Sequence, residues 1–161
     1  MHPIRFLDWL RRSSVLAALW WPLAAAATGG SPGPVLFYTL LSADEESATT
    51  ESPGSGRADF SLDRETLRLS WKVAFTRLTS PVTAAQIHGP QRPGTNAGPQ
   101  IDLAPKARVS PLEGSAVLTE AQLEYLLAGR MYVNLHTVRY PNGELRGQIQ
   151  RVPPASGAVR Q

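Results

Sequence analysis

The stretch from Leu67 to Phe75 constrains the fold most, because its side chains alternate along the chain. Apolar side chains occupy every second position, at Leu67, Leu69, Trp71, Val73 and Phe75, and polar or small residues lie between them. Successive side chains of a β-strand point to opposite faces, so a period of two is typical of a half-buried strand. The pattern predicts a strand whose core-facing side carries Trp71.

Further segments have strand character and are separated by clusters of Gly, Pro, Ser and Asn. Asp63-Arg64-Glu65-Thr66 predicts a short hairpin loop between the second strand and the third. Tyr140-Pro141-Asn142-Gly143 predicts a tight turn between the last two strands. That turn would set Tyr140 opposite Glu144, Val138 near Arg146 and His136 near Gln148. The predicted strands besides 67–75 are Val35–Leu41, Ala58–Leu62, Ala84–His88, Tyr132–Arg139 and Glu144–Gln150.

One helix interrupts the strand pattern, at about residues 119–128. Thr119-Glu120-Ala121-Gln122 has the form of a capping box, and Leu123, Leu126 and Leu127 follow at helical spacing. Gly129 is suited to end the helix in a left-handed conformation. Many short strands and a single short helix predict an all-β fold, an antiparallel immunoglobulin-like β-sandwich or Greek-key barrel.

The N-terminal segment has the order of a secretory signal peptide. Arg5, Arg11 and Arg12 precede an apolar run, Ser13 to Ala27, that ends in small residues. The run is shorter than the roughly 20 residues that span a bilayer. We expect cleavage after Ala26 or Ala27 and export to the periplasm or the medium. An uncleaved anchor is the alternative, and the adjacent arginines leave both the general secretory and the twin-arginine route open.

The remaining chain divides by composition into three parts. Residues 28–34 are a Gly/Pro/Ser linker, residues 35–151 form one domain, and residues 152–161 read as a flexible C-terminal tail. Beyond residue 27 the chain carries 13 basic and 12 acidic side chains, spread singly, which argues against a nucleic-acid partner. We expect no stable membrane span after cleavage. The expected partner is an extracytoplasmic protein, a glycan or a metal.

The chain has no cysteine, so disulfides, thiolate metal ligands and a cysteine nucleophile are excluded. No G-x-S-x-G elbow or phosphate-binding glycine loop occurs, and a non-enzymatic module is favoured. Asp44-Glu45-Glu46 reads as a solvated strand end in preference to a pair of catalytic carboxylates.

Two histidines, His88 and His136, remain after removal of the signal peptide. Alternation places both on outward-facing sides of their strands, as hydrogen-bonded surface histidines or as ligands of copper or zinc. A third ligand would have to come from Asp102, Glu144, Tyr132, Met131 or water. The supporting polar face predicted by the same alternation comprises Gln86, Tyr132, Asn134, Glu144, Arg146 and Gln148. We expect Arg146 to orient Asn134 or His136, or to pair with an acid.

Several of these segments together resemble the CHRD domain, the module named after the chordin proteins, over about residues 36–150. The most specific of them are the segments 132–137 (Tyr-Val-Asn-Leu-His-Thr) and 140–149, which begins Tyr-Pro-Asn-Gly-Glu-Leu. The others are 37–42 (Phe-Tyr-Thr-Leu-Leu-Ser), 56–73, 85–90 (Ala-Gln-Ile-His-Gly-Pro) and 118–129. Where many members have Glu-Val-Pro-Pro, this chain has Glu46-Ser47-Ala48-Thr49.

The resemblance implies a single-domain secreted protein of the bacterial type with an immunoglobulin-like β-fold. It also implies that His88 and His136 both stand where the family pattern has histidine. The pattern is similar to that of copper/zinc superoxide dismutase, another Greek-key β-sandwich, which makes copper the candidate cofactor. Two hypotheses follow: an exported non-enzymatic binding module, and a copper or zinc protein, superoxide-dismutase-like in its chemistry.

Overall fold

The computed structural model describes residues 33–104 and 108–153. The predicted signal peptide, residues 28–32 of the linker and residues 154–161 of the tail lie outside the described residues. The described elements are β1 (Val35–Ser42), β2 (Ser55–Asp63), β3 (Arg68–Thr76), β4 (Val82–His88), β5 (Pro99–Asp102), β6 (Leu112–Val117), α1 (Glu120–Leu127), β7 (Tyr132–Thr137), β8 (Leu145–Gln148) and β9 (Gln150–Arg151).

The strands form one antiparallel sheet in the order β5-β4-β7-β8-β1-β2-β3-β6, and β9 also pairs with β1. The sheet is nearly closed into a barrel, which confirms the predicted all-β class with one short helix in the described residues. The indole Nε1 of Trp71 on β3 donates to the carbonyl of Leu103, just after β5, at 3.1 Å. This bond ties together chain segments from opposite ends of the sheet.

The core confirms the alternation from which the fold was inferred. Leu69, Trp71 and Val73 are buried, and the residues between them are exposed. Leu67 does not belong to the strand, because it lies in the preceding turn with φ +54. Asp63 Oδ1 accepts from the amides of Glu65 and Thr66, so the hairpin loop runs over residues 64–67, one residue later than predicted.

The helix begins and ends as the sequence predicts. Thr119 Oγ1 accepts from the Gln122 amide, and Gln122 Oε1 accepts from the Thr119 amide, which completes the capping box. Gly129 has φ +66, the left-handed conformation that glycine adopts without a Cβ clash. Leu126 is buried and Leu123 packs against the core, so the helix covers one side of the barrel.

Two strands, β5 and β6, were missed by the sequence prediction. β5 has four residues and begins at a proline. β6 contains Gly114, which lowers its strand propensity. A Cβ at Gly114 would lie 2.6 Å from the Trp71 ring, so a residue with low strand propensity is needed there to make room for the indole.

The predicted register of the last hairpin is wrong by four residues. The turn itself is present, since the Gly143 amide donates to the Tyr140 carbonyl at 3.1 Å. A further turn precedes it, closed by a bond from the Thr137 amide to the same carbonyl, so β7 ends at Thr137. As a result Arg146 pairs with Asn134, and not with a residue near Val138.

Candidate metal centre

Strands β4, β7 and β8 are neighbours in the sheet, so the polar side chains predicted for them belong to one surface. Gln86 pairs with Asn134, and Asn134 pairs on its other side with Arg146. The expectation that this face is open to solvent is wrong. Arg146 is 1% exposed, Asn134 3% and His88 7%, because the segments 43–53 and 89–98 supply covering contacts.

His88 and His136 meet through their side chains alone. Along the ladder, His88 pairs with Tyr132 and His136 pairs with Ala84, so the Gln86–Asn134 pair lies between them. Their ring centroids are nevertheless 5.5 Å apart, and the two Nε2 atoms are 3.4 Å apart. The spacing of the histidines in the sequence, 48 residues, carries no sign of this contact.

The other ring nitrogen of each histidine is bonded to a backbone carbonyl. His88 Nδ1 lies 2.9 Å from the oxygen of Ala97, and His136 Nδ1 lies 3.0 Å from the oxygen of Pro141. A carbonyl oxygen only accepts, so each Nδ1 carries the proton and donates. In the neutral rings both Nε2 atoms therefore present lone pairs, and they present them to each other.

The surroundings favour the neutral form of both rings. Burial lowers the pKa of His88, although the hydrogen bond to the Ala97 carbonyl acts in the opposite direction. The charges of His136 and Arg146 lower the pKa further. Burial likewise lowers the pKa of His136, against the opposing hydrogen bond to Pro141. Around pH 7 the pair consequently lacks the proton that would join the two Nε2 atoms by a hydrogen bond.

Arg146 supports the site by packing on Tyr132 and by holding the loop at residues 95–96, which differs from the expected role. Its guanidinium lies 3.6 Å from the ring centroid of Tyr132, and that ring stacks on His88 at 5.2 Å. It donates to Asn96 Oδ1 at 2.9 Å and to the Thr95 carbonyl at 2.7 Å. Arg146 thus fixes the loop over the site, and among the described residues it forms neither an ion pair nor a bond to Asn134 or His136.

Two further side chains hold the same loop. Tyr132 Oη accepts from the Ala97 amide at 2.9 Å, which places the Ala97 carbonyl beside His88. Gln148 Nε2 donates to the carbonyls of Gln91 and Gly129, at 3.1 Å and 2.8 Å. The orientation of the His88 ring therefore depends on contacts made by β7 and β8 to residues 91–97.

The protein side chains considered as a third ligand are engaged elsewhere. Asp102 Oδ1 accepts from the Ala104 amide, and Met131 is fully buried in the apolar core. Tyr132 Oη is bonded to Ala97, and Glu144 is bonded to Ser52, Thr79 and Thr137. Over residues 33–104 and 108–153, no group of three or more His, Cys, Asp or Glu could hold a metal ion. Water is therefore the one predicted third ligand that is not already engaged in another contact.

Glu144 is a structural carboxylate that joins three segments of the chain. Its Oε1 accepts from Ser52 Oγ at 2.6 Å and from the Thr79 amide at 2.8 Å, and its Oε2 accepts from Thr79 Oγ1 and Thr137 Oγ1. Burial alone would raise the pKa of Glu144, but these hydrogen bonds outweigh it and hold the pKa below its ordinary value. The predicted polar residue Glu144 is thus a fully buried anchor of the hairpin that follows His136.

Glu46 belongs to this region although the sequence placed it at a solvated strand end, and that placement is wrong. Burial raises the pKa of Glu46 to about 7, against the opposing charge of Arg146. Its Oε1 and Asn134 Oδ1 are both buried, and within the described part of the chain neither has a hydrogen-bond partner. A Cβ at Gly143 would lie within 2.7 Å of both side chains, so the three residues meet under the hairpin. Nothing in the run Asp44-Glu45-Glu46 indicates that one of its three acids is partly buried.

None of the helices among the described residues is long and apolar enough to cross a membrane. Neither the curated proteins nor the solved structures gave a match. Residues 37–149 match the family model of the CHRD domain, which supports a binding or structural module in general terms. Because the match covers 113 of the 161 residues, including both histidines, the chain belongs to the CHRD domain family.

Proposed function

We propose that this protein is a metal-binding module in which His88 and His136 hold one copper or zinc ion. The observation that carries the proposal is the pair of Nε2 atoms, 3.4 Å apart, with both Nδ1 atoms committed to carbonyl oxygens. Two lone pairs facing each other at this distance repel, and only a cation between them turns the contact into an attraction. A metal ion supplies that cation at a pH where the rings are neutral.

The spacing also suits ligand bonds of ordinary length. Two metal–nitrogen bonds of about 2.0–2.1 Å at a tetrahedral angle separate their nitrogens by about 3.3–3.4 Å. Imidazole is a good ligand for both copper and zinc. The second ring nitrogen of a metal-binding histidine usually donates to a carbonyl or carboxylate, as both do in this pair. The remaining coordination positions would be filled by water or by a group from a partner.

Metal retention tests this proposal. The protein is purified without a histidine tag, incubated with Cu(I) under anaerobic reducing conditions, Cu(II) or Zn(II), and desalted before metal analysis. We expect close to one equivalent of at least one of these ions on the wild type and less than about a tenth of that on His88→Ala/His136→Ala. Loss of both imidazoles removes both ligand atoms.

A second variant, His88→Gln/His136→Gln, keeps side-chain size and polarity and controls for the fold through its circular dichroism spectrum and melting temperature. Equal retention by the wild type and either folded double variant would contradict the proposal.

We also propose that the protein is exported to the periplasm or the medium, on the strength of the N-terminal signal pattern. The mature protein should then begin at Ala27 or Thr28, because the small residues before them suit a signal peptidase. The intact mass of the protein recovered from its native host measures this. A mass that includes residues 1–26 would show an uncleaved anchor or a protein that stays inside the cell.

A further inference from the structure

We propose that the histidine pair selects the monovalent ion Cu(I) over divalent Zn(II) and Cu(II), and that Arg146 is the residue that determines this choice. The inference rests on the proposed function, since it names the ion for the same site. The Nε2 spacing does not decide between the metals, because 3.4 Å is compatible with three-coordinate as well as tetrahedral ligand angles. The charge of the surroundings does.

The donor set is electrically neutral and small. Both imidazoles bind through lone pairs and contribute no negative charge, and no carboxylate joins them among the described residues. Zn(II) usually takes four ligands, and its catalytic sites have three from the protein. Cu(I) is a filled-shell monocation that is satisfied by two or three donors. A site that offers two neutral nitrogens, one on the buried His88 and one on the half-buried His136, meets the demands of Cu(I) more fully than those of Zn(II).

The fixed charge beside the site is positive. The Arg146 guanidinium lies 3.6 Å from the ring centroid of Tyr132, and that ring stacks on His88 with the two ring centroids 5.2 Å apart. The field of this guanidinium opposes a metal ion in proportion to its charge, so a divalent ion loses twice the free energy that a monovalent ion loses. Glu46 offsets Arg146 only in part, because burial raises the pKa of its carboxyl to about 7 and so disfavours its charged form.

Competition titrations at pH 7 measure the selectivity. Cu(I) is titrated anaerobically against a chromogenic Cu(I) chelator, and Zn(II) against a chromogenic zinc chelator. Ag(I) serves as a monovalent probe without redox chemistry, and Co(II) as a second divalent probe. For the wild type we expect Cu(I) and Ag(I) to bind at least about a hundredfold more tightly than Zn(II) and Co(II).

Arg146→Gln removes the charge and keeps a planar hydrogen-bonding group. Because one aromatic ring separates this charge from His88, we expect the affinity to rise about fivefold for Cu(I) and about 25-fold for Zn(II). The ratio of the Cu(I) affinity to the Zn(II) affinity then narrows about fivefold. Arg146→Lys keeps the charge without the stacked plane, and it should keep the wild-type ratio even where both affinities fall. A role of Arg146 in loop packing alone would instead change the Cu(I) and Zn(II) affinities by the same factor and leave their ratio unchanged, which would overturn the assignment of the selectivity to Arg146.

The outcomes separate the two proposals. Tighter binding of Zn(II) than of Cu(I) by the wild type overturns the selectivity and leaves the metal site standing. Binding of no ion at all overturns both. If Arg146→Gln does not fold, the comparison of Ag(I) with Co(II) on the wild type still tests the preference for monovalent ions, and equal or tighter binding of Co(II) overturns it.

Discussion

Glu144→Gln should lower the free energy of unfolding by about 3 kcal/mol, because two of its four donors lose their acceptor oxygen and the other two keep only an uncharged one. The carboxylate is fully buried and accepts bonds from Ser52, from the amide and hydroxyl of Thr79, and from Thr137. A glutamine amide turns one acceptor oxygen into a donor, which leaves buried donors facing each other. Hydrogen bonds to a charged group contribute about 1.5–3 kcal/mol each, and unsatisfied buried donors cost a further 1–3 kcal/mol.

Urea denaturation at pH 7 measures this effect, with Glu45→Gln, at an exposed position in the same chain segment as Ser52, as the matched control. The pKa of Glu144 is lowered by folding, so its contribution is present above the unfolded pKa of 4.5 and is lost as the pH falls through the folded value. The difference between the wild type and Glu144→Gln should therefore shrink in acid. A loss at pH 7 no larger than that of Glu45→Gln would show that Glu144 does not anchor the hairpin.

Glu46→Gln should have the opposite effect and stabilise the protein at pH 8.5, by about 2 kcal/mol. Folding raises the pKa of Glu46 from 4.5 to about 7, so its stabilising contribution is complete below pH 4.5 and is lost as the pH rises through about 7. At pH 8.5 the wild type must hold an ionised carboxylate in a partly buried position, whereas the amide is neutral at every pH. One pKa unit corresponds to about 1.36 kcal/mol, and partial solvent screening reduces the full value.

Thermal unfolding of the two proteins between pH 4 and 9 checks this. The stability curves should coincide near pH 4 and separate progressively through pH 7. A lower stability of Glu46→Gln at pH 8.5 would mean that attraction between the carboxylate and Arg146 exceeds the penalty of burial. In that case Glu46 would act as the counter-ion of Arg146, and the positive field beside the histidine pair would be weaker than inferred.

Features predicted correctly from the sequence are those that neighbouring residues decide. The alternation around Trp71 specifies which face of β3 is buried, because the side-chain period of a strand is local. The capping box at Thr119 and the left-handed Gly129 also depend on residues three or four positions apart. The tight turn at Tyr140 is present for the same reason.

Features that depend on distant partners were missed or misplaced. The hairpin register shifts by four residues because Thr137 bonds to Tyr140 and Glu144, and those bonds end β7 early. Gly114 interrupts strand propensity in β6 to make room for Trp71, 43 positions earlier. The polar face of β4, β7 and β8 was predicted to be solvated, and it is covered by loops. Alternation indicates which side of a strand is polar, but it does not indicate whether another segment covers that side.

The sequence by itself determined an all-β chain of the CHRD family with His88 and His136 on polar strand faces, because side-chain periodicity and motif spacing are written in adjacent residues. Only the tertiary structure decided that the two imidazoles meet at Nε2, that Ala97 and Pro141 fix their tautomers, and that Glu46 lies partly buried near Arg146. These contacts join residues up to 100 positions apart. They exist because the sheet curls and a loop closes over it, which no local pattern of residues specifies.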